Sequence, residues 1–346
     1  MAAKKSSVCP PMTANQFYFT AACSLGVVIT LAVVYFKRPK NYWYDRVHPE
    51  LIATPMFTIN SWWMAWIVHT LSSIPGKTDA EIIMTKVDGI GTYYYTKSNK
   101  GNDEKQPTRA ILWIHGGGRI LGAANGMSEP CEKIVKMFGG IPVLSVEYRF
   151  PPKHPFPAAL QDCSKAYSWL VDKVQLEGRI AVAGMSAGAG LAAELCQLIL
   201  DEGSLPSPVC QLLLDPMLDD RTCVNETISK LPPHLVWNNQ SNMYAWSLYL
   251  GPDHKPGDET LPKYASASRR ADLSGLPPAL ITVGNLDLFH DECTEYAQRL
   301  KNDGVKADLV VTKGGFHAFM SMQPDKGPSV EAWNKCHAFG KSFLFD

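Results

Sequence analysis

The chain has 346 residues, of which 33 are basic and 33 acidic, so its formal net charge is zero. This length suits one large α/β domain with a small appendage. The balanced charge argues against nucleic acid or any strongly charged partner. Nine cysteines without a Cys-x-x-Cys pair indicate neither a disulfide framework nor a zinc site.

The N-terminal region contains one long uncharged segment. After a tail at 1–16, residues 17–36 carry no charge over 20 positions, enough to cross about 30 Å of hydrocarbon as a helix. The segment runs directly into basic residues without a small-residue cleavage site. A retained transmembrane anchor is therefore favoured over a cleaved signal peptide. The basic residues around it point only weakly to a cytoplasmic catalytic domain.

Two further features depend on which side of a membrane the domain lies. Asn225 and Asn239 begin Asn-x-Ser/Thr triplets, which are glycosylation acceptors in a lumenal domain. Cys210 and Cys223 are candidates for a disulfide under the same condition, although their spacing does not decide it.

The rest of the chain predicts an N-terminal cap segment at 37–80 and a catalytic domain at 81–346. Residues 82–87 and 91–96 read as a hairpin-like strand pair, and short apolar runs then alternate with helical stretches. The predicted strands are 110–114, 142–148, 179–183, 210–214, 279–283 and 308–312, with helices at 129–138, 158–174 and 291–302. This alternation predicts an α/β fold with a mostly parallel sheet covered on both faces. Residues 216–270 interrupt it and are predicted to be a cap insertion.

A glycine-rich turn follows the strand at 110–114. His115, Gly116, Gly117 and Gly118 form an HGGG sequence. Acyl transfer needs backbone N–H donors for the oxygen of a tetrahedral intermediate, and glycines let the backbone approach the substrate. We expect Gly117 and Gly118 to supply donors, with His115 and Gly116 supporting the loop. An ordinary tight turn between strand and helix is the alternative.

The sequence Gly184-Met185-Ser186-Ala187-Gly188 lies between a strand and a long helical run. A Gly-x-Ser-x-Gly in this setting is typical of a nucleophile elbow, in which Ser186 occupies a sharp, strained turn. The N–H of Ala187 is the third expected oxyanion donor. Alone, the pattern also fits any small-residue turn, so its partners matter.

A serine nucleophile needs a base and a carboxylate to orient that base. Asp287 follows the strand at 279–283, and His317 follows the strand at 308–312, in the chain order expected for this fold. Asp291 and Glu292 are rival acids, but helix capping explains them adequately. Of the other histidines, His290 is too close to Asp287 in the chain and His337 falls in the terminal helix.

Together these residues make the chain resemble the hormone-sensitive-lipase-like esterases of the α/β-hydrolase superfamily. The resemblance covers about 112–319. It rests on HGGG at 115–118, EYRFPPKHPFPAALQD at 147–162, GMSAG at 184–188, DPMLDDR at 215–221, ADLSGLPPALITVGNLDLFHDE at 271–292 and GGFHAF at 314–319. It implies a triad of Ser186, Asp287 and His317, an HGGG oxyanion hole, and a helical cap built from the N-terminal region and an insertion.

With the predicted anchor, the arrangement is similar to arylacetamide deacetylases and neutral cholesterol ester hydrolases, whose catalytic domains are lumenal. The resemblance thus implies a single-pass protein of the endoplasmic reticulum. Three residues depart from the family pattern. Met185 replaces an acidic residue, Arg119 replaces an aromatic or apolar one, and Glu147 replaces an aspartate. None of the three removes a catalytic group.

The resulting prediction is a membrane-anchored serine carboxylesterase that forms an acyl-enzyme on Ser186. Its partners are a small-molecule or lipid ester and, through the N-terminal helix, a membrane. No metal or organic cofactor is expected. Two alternatives are an amidase of the arylacetamide type and a non-catalytic ligand-binding receptor on the same fold, which would usually lack the base.

Overall fold

The computed structural model describes residues 43–52, 58–74, 80–96, 107–174 and 179–345. Eight strands of the described chain form one sheet. The strands are β1 (Glu81–Val87), β2 (Ile90–Thr96), β3 (Arg109–Ile114), β4 (Val143–Val146), β5 (Arg179–Met185), β6 (Gln211–Leu214), β7 (Ala279–Gly284) and β8 (Ala307–Thr312). They run in the spatial order β1-β2-β4-β3-β5-β6-β7-β8. The first two pairings, β1 with β2 and β2 with β4, are antiparallel, and the other five are parallel.

Helices cover both faces of this sheet. The described helices are α1 (Trp62–Ser72), α2 (Ser128–Met137), α3 (Ala158–Lys173), α4 (Ala187–Glu202), α5 (Glu226–Ser229), α6 (Asn239–Leu250), α7 (His290–Asn302), α8 (Phe319–Met322) and α9 (Gly327–Leu344). Successive side chains of a strand point to opposite faces. Accordingly, Leu112 and Ile114 of β3 join a core with α3, α4 and α7. Ile111 and Trp113 join a second core with α2 and α9.

The predicted mostly parallel sheet with helices on both faces is therefore confirmed. Each predicted strand and helix in the described residues is present, with ends that differ by at most a few residues. The strand predicted at 142–148 is shorter, as β4 (Val143–Val146), although the Glu147 amide still donates to the Gly91 carbonyl of β2 at 3.0 Å.

Two chain segments contact the carboxyl edge of the sheet. The segment between β6 and β7 contains α5 and α6, within the predicted insertion at 216–270. The N-terminal segment containing α1 meets this insertion where the Ile59 amide donates to Ser241 Oγ at 2.8 Å. It meets the loop after β3 where His69 Nδ1 hydrogen-bonds to the Gly122 carbonyl at 2.7 Å. Both contacts agree with a two-part cap, although the predicted domain boundaries stay predictions.

The predicted localisation needs correction. A membrane-crossing helix buries about 20 predominantly apolar residues. Within the described ranges, no helix is long and apolar enough to cross a membrane. The longest of them, α9, has 18 residues and carries Glu331, Lys335 and Lys341. This finding contradicts the prediction of a single-pass membrane protein with a lumenal domain. The tail at 1–16 and the span at 17–36 lie outside the described residues.

Two predictions conditional on a lumenal domain have a structural outcome. Seven cysteines in the described part of the chain are free and buried, and Cys210 and Cys223 are among them. Asn225 is exposed and caps α5 by accepting the Thr227 amide at 2.9 Å. Asn239 opens α6, and its Nδ2 donates to the Cys223 carbonyl at 3.1 Å.

Candidate active site

Ser186 occupies the sharp turn between β5 and α4. Its φ of 55° lies in the left-handed region that non-glycine residues rarely adopt. The turn is held because the Ser186 amide donates to the Leu214 carbonyl at 2.7 Å, at the end of the adjacent strand β6. Gly188 must lack a side chain, since a Cβ there would overlap the Ile114 carbonyl of β3. The strained turn thus presents the serine hydroxyl at the N-terminus of α4.

Ser186, His317 and Asp287 form a continuous hydrogen-bonded chain. His317 Nδ1 lies 2.8 Å from Asp287 Oδ2, and His317 Nε2 lies 2.9 Å from Ser186 Oγ. A carboxylate only accepts, so Nδ1 carries the proton and Nε2 accepts from the serine hydroxyl. All three residues are buried, with exposed fractions of 4–5%. The structure therefore brings together the three residues predicted as a triad.

Asp287 and His317 are each influenced by further interactions. The other oxygen of Asp287, Oδ1, accepts the Phe289 amide at 2.9 Å. Burial acts to lower the pKa of His317, but the charge of Asp287 and its hydrogen bond outweigh burial and raise the pKa above its ordinary value. A histidine with a raised pKa is a stronger base, which suits proton abstraction from a hydroxyl.

The rival acids point elsewhere. The Asp291 side chain is 88% exposed and accepts from its neighbour His290. Glu292 is buried but accepts the Leu218 amide at 2.7 Å and the Thr222 hydroxyl, so it fastens the start of the cap insertion. His337 lies on α9, where its ring packs edge-on against Phe138, and it is not part of the triad.

The HGGG loop lies directly against the nucleophile. A Cβ on Gly116 would stand 3.2 Å from Ser186 Cβ, so only a minimal side chain fits there. Gly117 and Gly118 have φ values of 117° and 61°, which favour glycine. Among the described residues, the N–H groups of Gly117, Gly118 and Ala187 make no hydrogen bond. Three free donors beside Ser186 are suited to an oxyanion.

His115 supports this loop from inside the protein. Its Nδ1 hydrogen-bonds to the Gly116 carbonyl at 2.8 Å, and its ring stacks on Tyr148 with centroids 4.2 Å apart. The Tyr148 hydroxyl donates to the His115 carbonyl at 2.9 Å. Burial lowers the pKa of His115 to about 4, so the ring is neutral at physiological pH.

The three departures from the family pattern have different surroundings. Met185 is half-buried and lies near Gly116. Glu147 Oε2 accepts the Ala124 amide at 2.8 Å and so helps to hold the chain that follows the oxyanion loop. Arg119 is fully buried and pairs with Glu194 on α4. Sequence reasoning missed Glu194, because a glutamate in a helix gives no sign that it faces a buried arginine.

Asp215 is a second residue without a predicted role. It follows β6 at the carboxyl edge, as Asp287 follows β7. This position in the sequence is the feature that could have indicated a role for Asp215. In the described part of the chain, no group of three or more His, Cys, Asp or Glu residues is arranged to hold a metal ion.

Comparison with known proteins identifies the class. A family model of the alpha/beta hydrolase fold matches residues 111–321. The chain is 30% identical over 258 residues to ethyl acetate hydrolase of Pseudomonas putida, covering 72% of this chain and 79% of that protein. It is 32% identical over 237 residues to carboxylic ester hydrolase LipN of Mycobacterium tuberculosis, covering 66% of this chain and 61% of LipN. The chain belongs to the α/β-hydrolase fold family.

Solved structures agree. A bacterial heroin esterase matches 88% of this chain and 99% of its own, with 27% identity and a TM-score of 0.75. An esterase from the bacterial hormone-sensitive lipase family matches 81% and 90%, with 26% identity and a TM-score of 0.68. The predicted resemblance to hormone-sensitive-lipase-like esterases is thus confirmed. The prediction of an enzyme of the ester-hydrolase class is confirmed as well, since the relatives carry such names.

Proposed function

We propose that this protein is a serine carboxylesterase that works through an acyl-enzyme on Ser186. The observation that carries the proposal is the hydrogen-bonded chain from Ser186 Oγ through His317 to Asp287, at 2.9 and 2.8 Å. A serine, a histidine and an acid in this order are the groups that nucleophilic acyl transfer needs.

The mechanism follows from these contacts. Ser186 Oγ attacks the ester carbonyl carbon while His317 Nε2 takes the hydroxyl proton. Asp287 holds the ring in the useful tautomer and stabilises the imidazolium. The N–H groups of Gly117, Gly118 and Ala187 bind the oxyanion. His317 then gives its proton to the leaving alkoxide, which departs as the alcohol.

The second half of the reaction uses the same groups in reverse. A water molecule loses a proton to His317 and attacks the acyl carbon. The tetrahedral intermediate collapses to release the carboxylic acid, and His317 returns the proton to Ser186 Oγ. The relatives' names, such as ethyl acetate hydrolase, support esters with short acyl groups as the first substrates to assay.

Ser186→Ala tests the proposal. We expect the wild type to hydrolyse p-nitrophenyl acetate or butyrate and to be labelled by a fluorophosphonate. The variant should lose labelling, and its kcat should fall by about 10⁵-fold or more. Ser274→Ala, the same change on an exposed loop, is the matched control and should behave as wild type. Hydrolysis surviving in Ser186→Ala would overturn the assignment.

Two further measurements on the wild type separate the esterase from its two alternatives. Matched ester and arylacetamide substrates, assayed in parallel, distinguish an esterase from an amidase, because amide cleavage must also protonate a poor leaving group. Folded wild-type protein that does not react with the fluorophosphonate would instead favour a ligand-binding receptor. The presence of His317 within hydrogen-bond distance of Ser186 argues against that function.

A further inference from the structure

Arg119, the residue after the oxyanion glycines, is enclosed by the protein. Its side chain has no exposed surface, and its backbone φ is 64°, the third successive left-handed position after Gly117 and Gly118. Its guanidinium lies over two adjacent rings of the cap helix α6, 4.4 Å from the Trp246 centroid and 4.1 Å from the Tyr249 centroid. A charge buried this deeply requires partners.

The guanidinium finds those partners on three separate segments. Arg119 Nη2 donates to Glu194 Oε1 at 2.6 Å, and Nη1 donates to the Ala265 carbonyl at 3.2 Å. Nη2 also donates to the Met217 carbonyl at 3.4 Å. One planar fork thus joins the oxyanion loop to helix α4 and to both ends of the cap insertion.

One of these partners touches the nucleophile. Met217 accepts from Arg119 through its carbonyl and donates its amide to the Ser186 carbonyl at 3.0 Å. Gly190 on α4 makes room for the arrangement, since a Cβ there would stand 2.8 Å from Arg119 Nη2 and would overlap the Met217 carbonyl. Arg119 is therefore two hydrogen bonds from the backbone of Ser186.

Stability alone does not account for the buried ion pair of Arg119 and Glu194. Removing two charges from water costs about as much as their attraction returns, and well-packed apolar residues of similar volume are often as stable. A left-handed arginine is a strained backbone conformation, and it persists only where surrounding contacts enforce it. The contacts enforce the conformation of the segment that carries the oxyanion N–H groups.

We propose that Arg119 is a positioning residue that fixes the N–H groups of Gly117 and Gly118 relative to Ser186, through its fork to Glu194, Met217 and Ala265. This inference rests on the proposed esterase function. Oxyanion donors act on the transition state, so their displacement lowers kcat and leaves ground-state binding nearly unchanged. A misplacement of about 1 Å costs about 100-fold in rate.

Arg119→Lys is the sharpest test, because lysine keeps a charge for Glu194 but lacks the planar fork that reaches Ala265 and Met217. We expect the full-length variant to fold, its kcat for p-nitrophenyl butyrate to fall by about 10- to 100-fold, and KM to change less than about 2-fold. Arg270→Lys is the matched control, since Arg270 pairs with Asp201 at the other end of α4. It should retain wild-type kcat.

The double variant Arg119→Met with Glu194→Gln separates positioning from stability. Both charges are removed together, so we expect its urea midpoint to recover relative to Glu194→Gln alone, while kcat stays low. Wild-type kcat in folded Arg119→Lys or in the double variant would overturn the proposal. An inactive wild type would instead refute the esterase function itself, before any variant is compared.

Discussion

The amide of Ala318, the residue after His317, donates a hydrogen bond to Asp215 Oδ2 at 3.2 Å. Both residues adopt left-handed backbone conformations, with φ of 60° at Ala318 and 47° at Asp215. Asp287 holds the ring of His317, whereas Asp215 holds the backbone on its C-terminal side. The histidine is thus fixed from two directions by two different carboxyl groups.

Asp215→Asn should change how stability depends on pH. Burial raises the pKa of Asp215 well above its ordinary value, and the nearby charge of Asp287 acts in the same direction. The folded state therefore binds this proton more tightly than the unfolded state. Its contribution to stability is full at low pH and is lost as pH rises through the folded pKa. Asparagine keeps an acceptor for Ala318 but does not ionise.

We accordingly expect the free energy of unfolding of Asp215→Asn, relative to wild type, to increase as pH rises from about 4, the ordinary aspartate pKa, toward the raised pKa of the folded state. Urea denaturation at several pH values measures it. Asp308→Asn, on the exposed face of β8, is the control and should run parallel to wild type. A stability difference for Asp215→Asn that does not vary with pH would contradict this expectation.

Asp287→Asn should lower kcat by about 10⁴-fold with little change in structure, because an amide does not hold His317 in the required tautomer. Asp291→Asn is the matched control, since Asp291 is a near neighbour whose side chain is 88% exposed. Steady-state hydrolysis of p-nitrophenyl butyrate measures both variants. Near-normal activity of Asp287→Asn, or a large loss of activity in Asp291→Asn, would show that Asp287 is not the orienting acid.

The pH profile of kcat/KM should show an acid limb with its midpoint above about 6.5, the ordinary histidine pKa. The reason is that His317 acts only when neutral, and its pKa is raised: burial opposes the shift, but the charge of Asp287 prevails. Hydrolysis rates at low substrate concentration between about pH 5 and 9 measure the midpoint. Re-assay at one fixed pH controls for inactivation, and a midpoint below 6.5 would be inconsistent with this role.

Gly118→Ala should lower kcat by about 100- to 1000-fold, the usual cost of one oxyanion donor. A Cβ at Gly118 would overlap the Trp237 ring of the cap, so the loop has to move. Gly139→Ala is a matched control, because Gly139 has a comparable φ of 73° but nothing within 4 Å of the added atom. Equal losses in the two variants would mean that backbone strain, not displacement of the donor, causes the defect.

The sequence was sufficient to predict the residues that follow strands. Ser186 comes directly after an apolar run, and Asp287 and His317 come within a few residues of one. Parallel strands bring their carboxyl ends to one edge of the sheet. The pairing of Arg119 with Glu194 was not predictable in this way, because it depends on how α4 packs under the oxyanion loop. A helical position alone does not reveal which buried residue it faces.

The localisation prediction failed for a different reason. The uncharged run at 17–36 meets the length and polarity criteria for a membrane-spanning helix, but those criteria say nothing about the helices of the folded domain. No helix in the described residues is able to span a bilayer. Asp215 illustrates a third case. Its place after β6 was visible, but its partner Ala318 became apparent only when the backbone beyond β8 was located.

Because the ring of His115 is neutral near physiological pH, its support of the oxyanion loop changes little with pH in that range. Burial lowers its pKa to about 4, so the ring stays largely neutral as pH falls from about 9 to about 5, and the hydrogen bond to Gly116 persists. Two histidines lie beside the nucleophile, and of these two it is His317 whose change of charge shapes the pH dependence of activity over this interval.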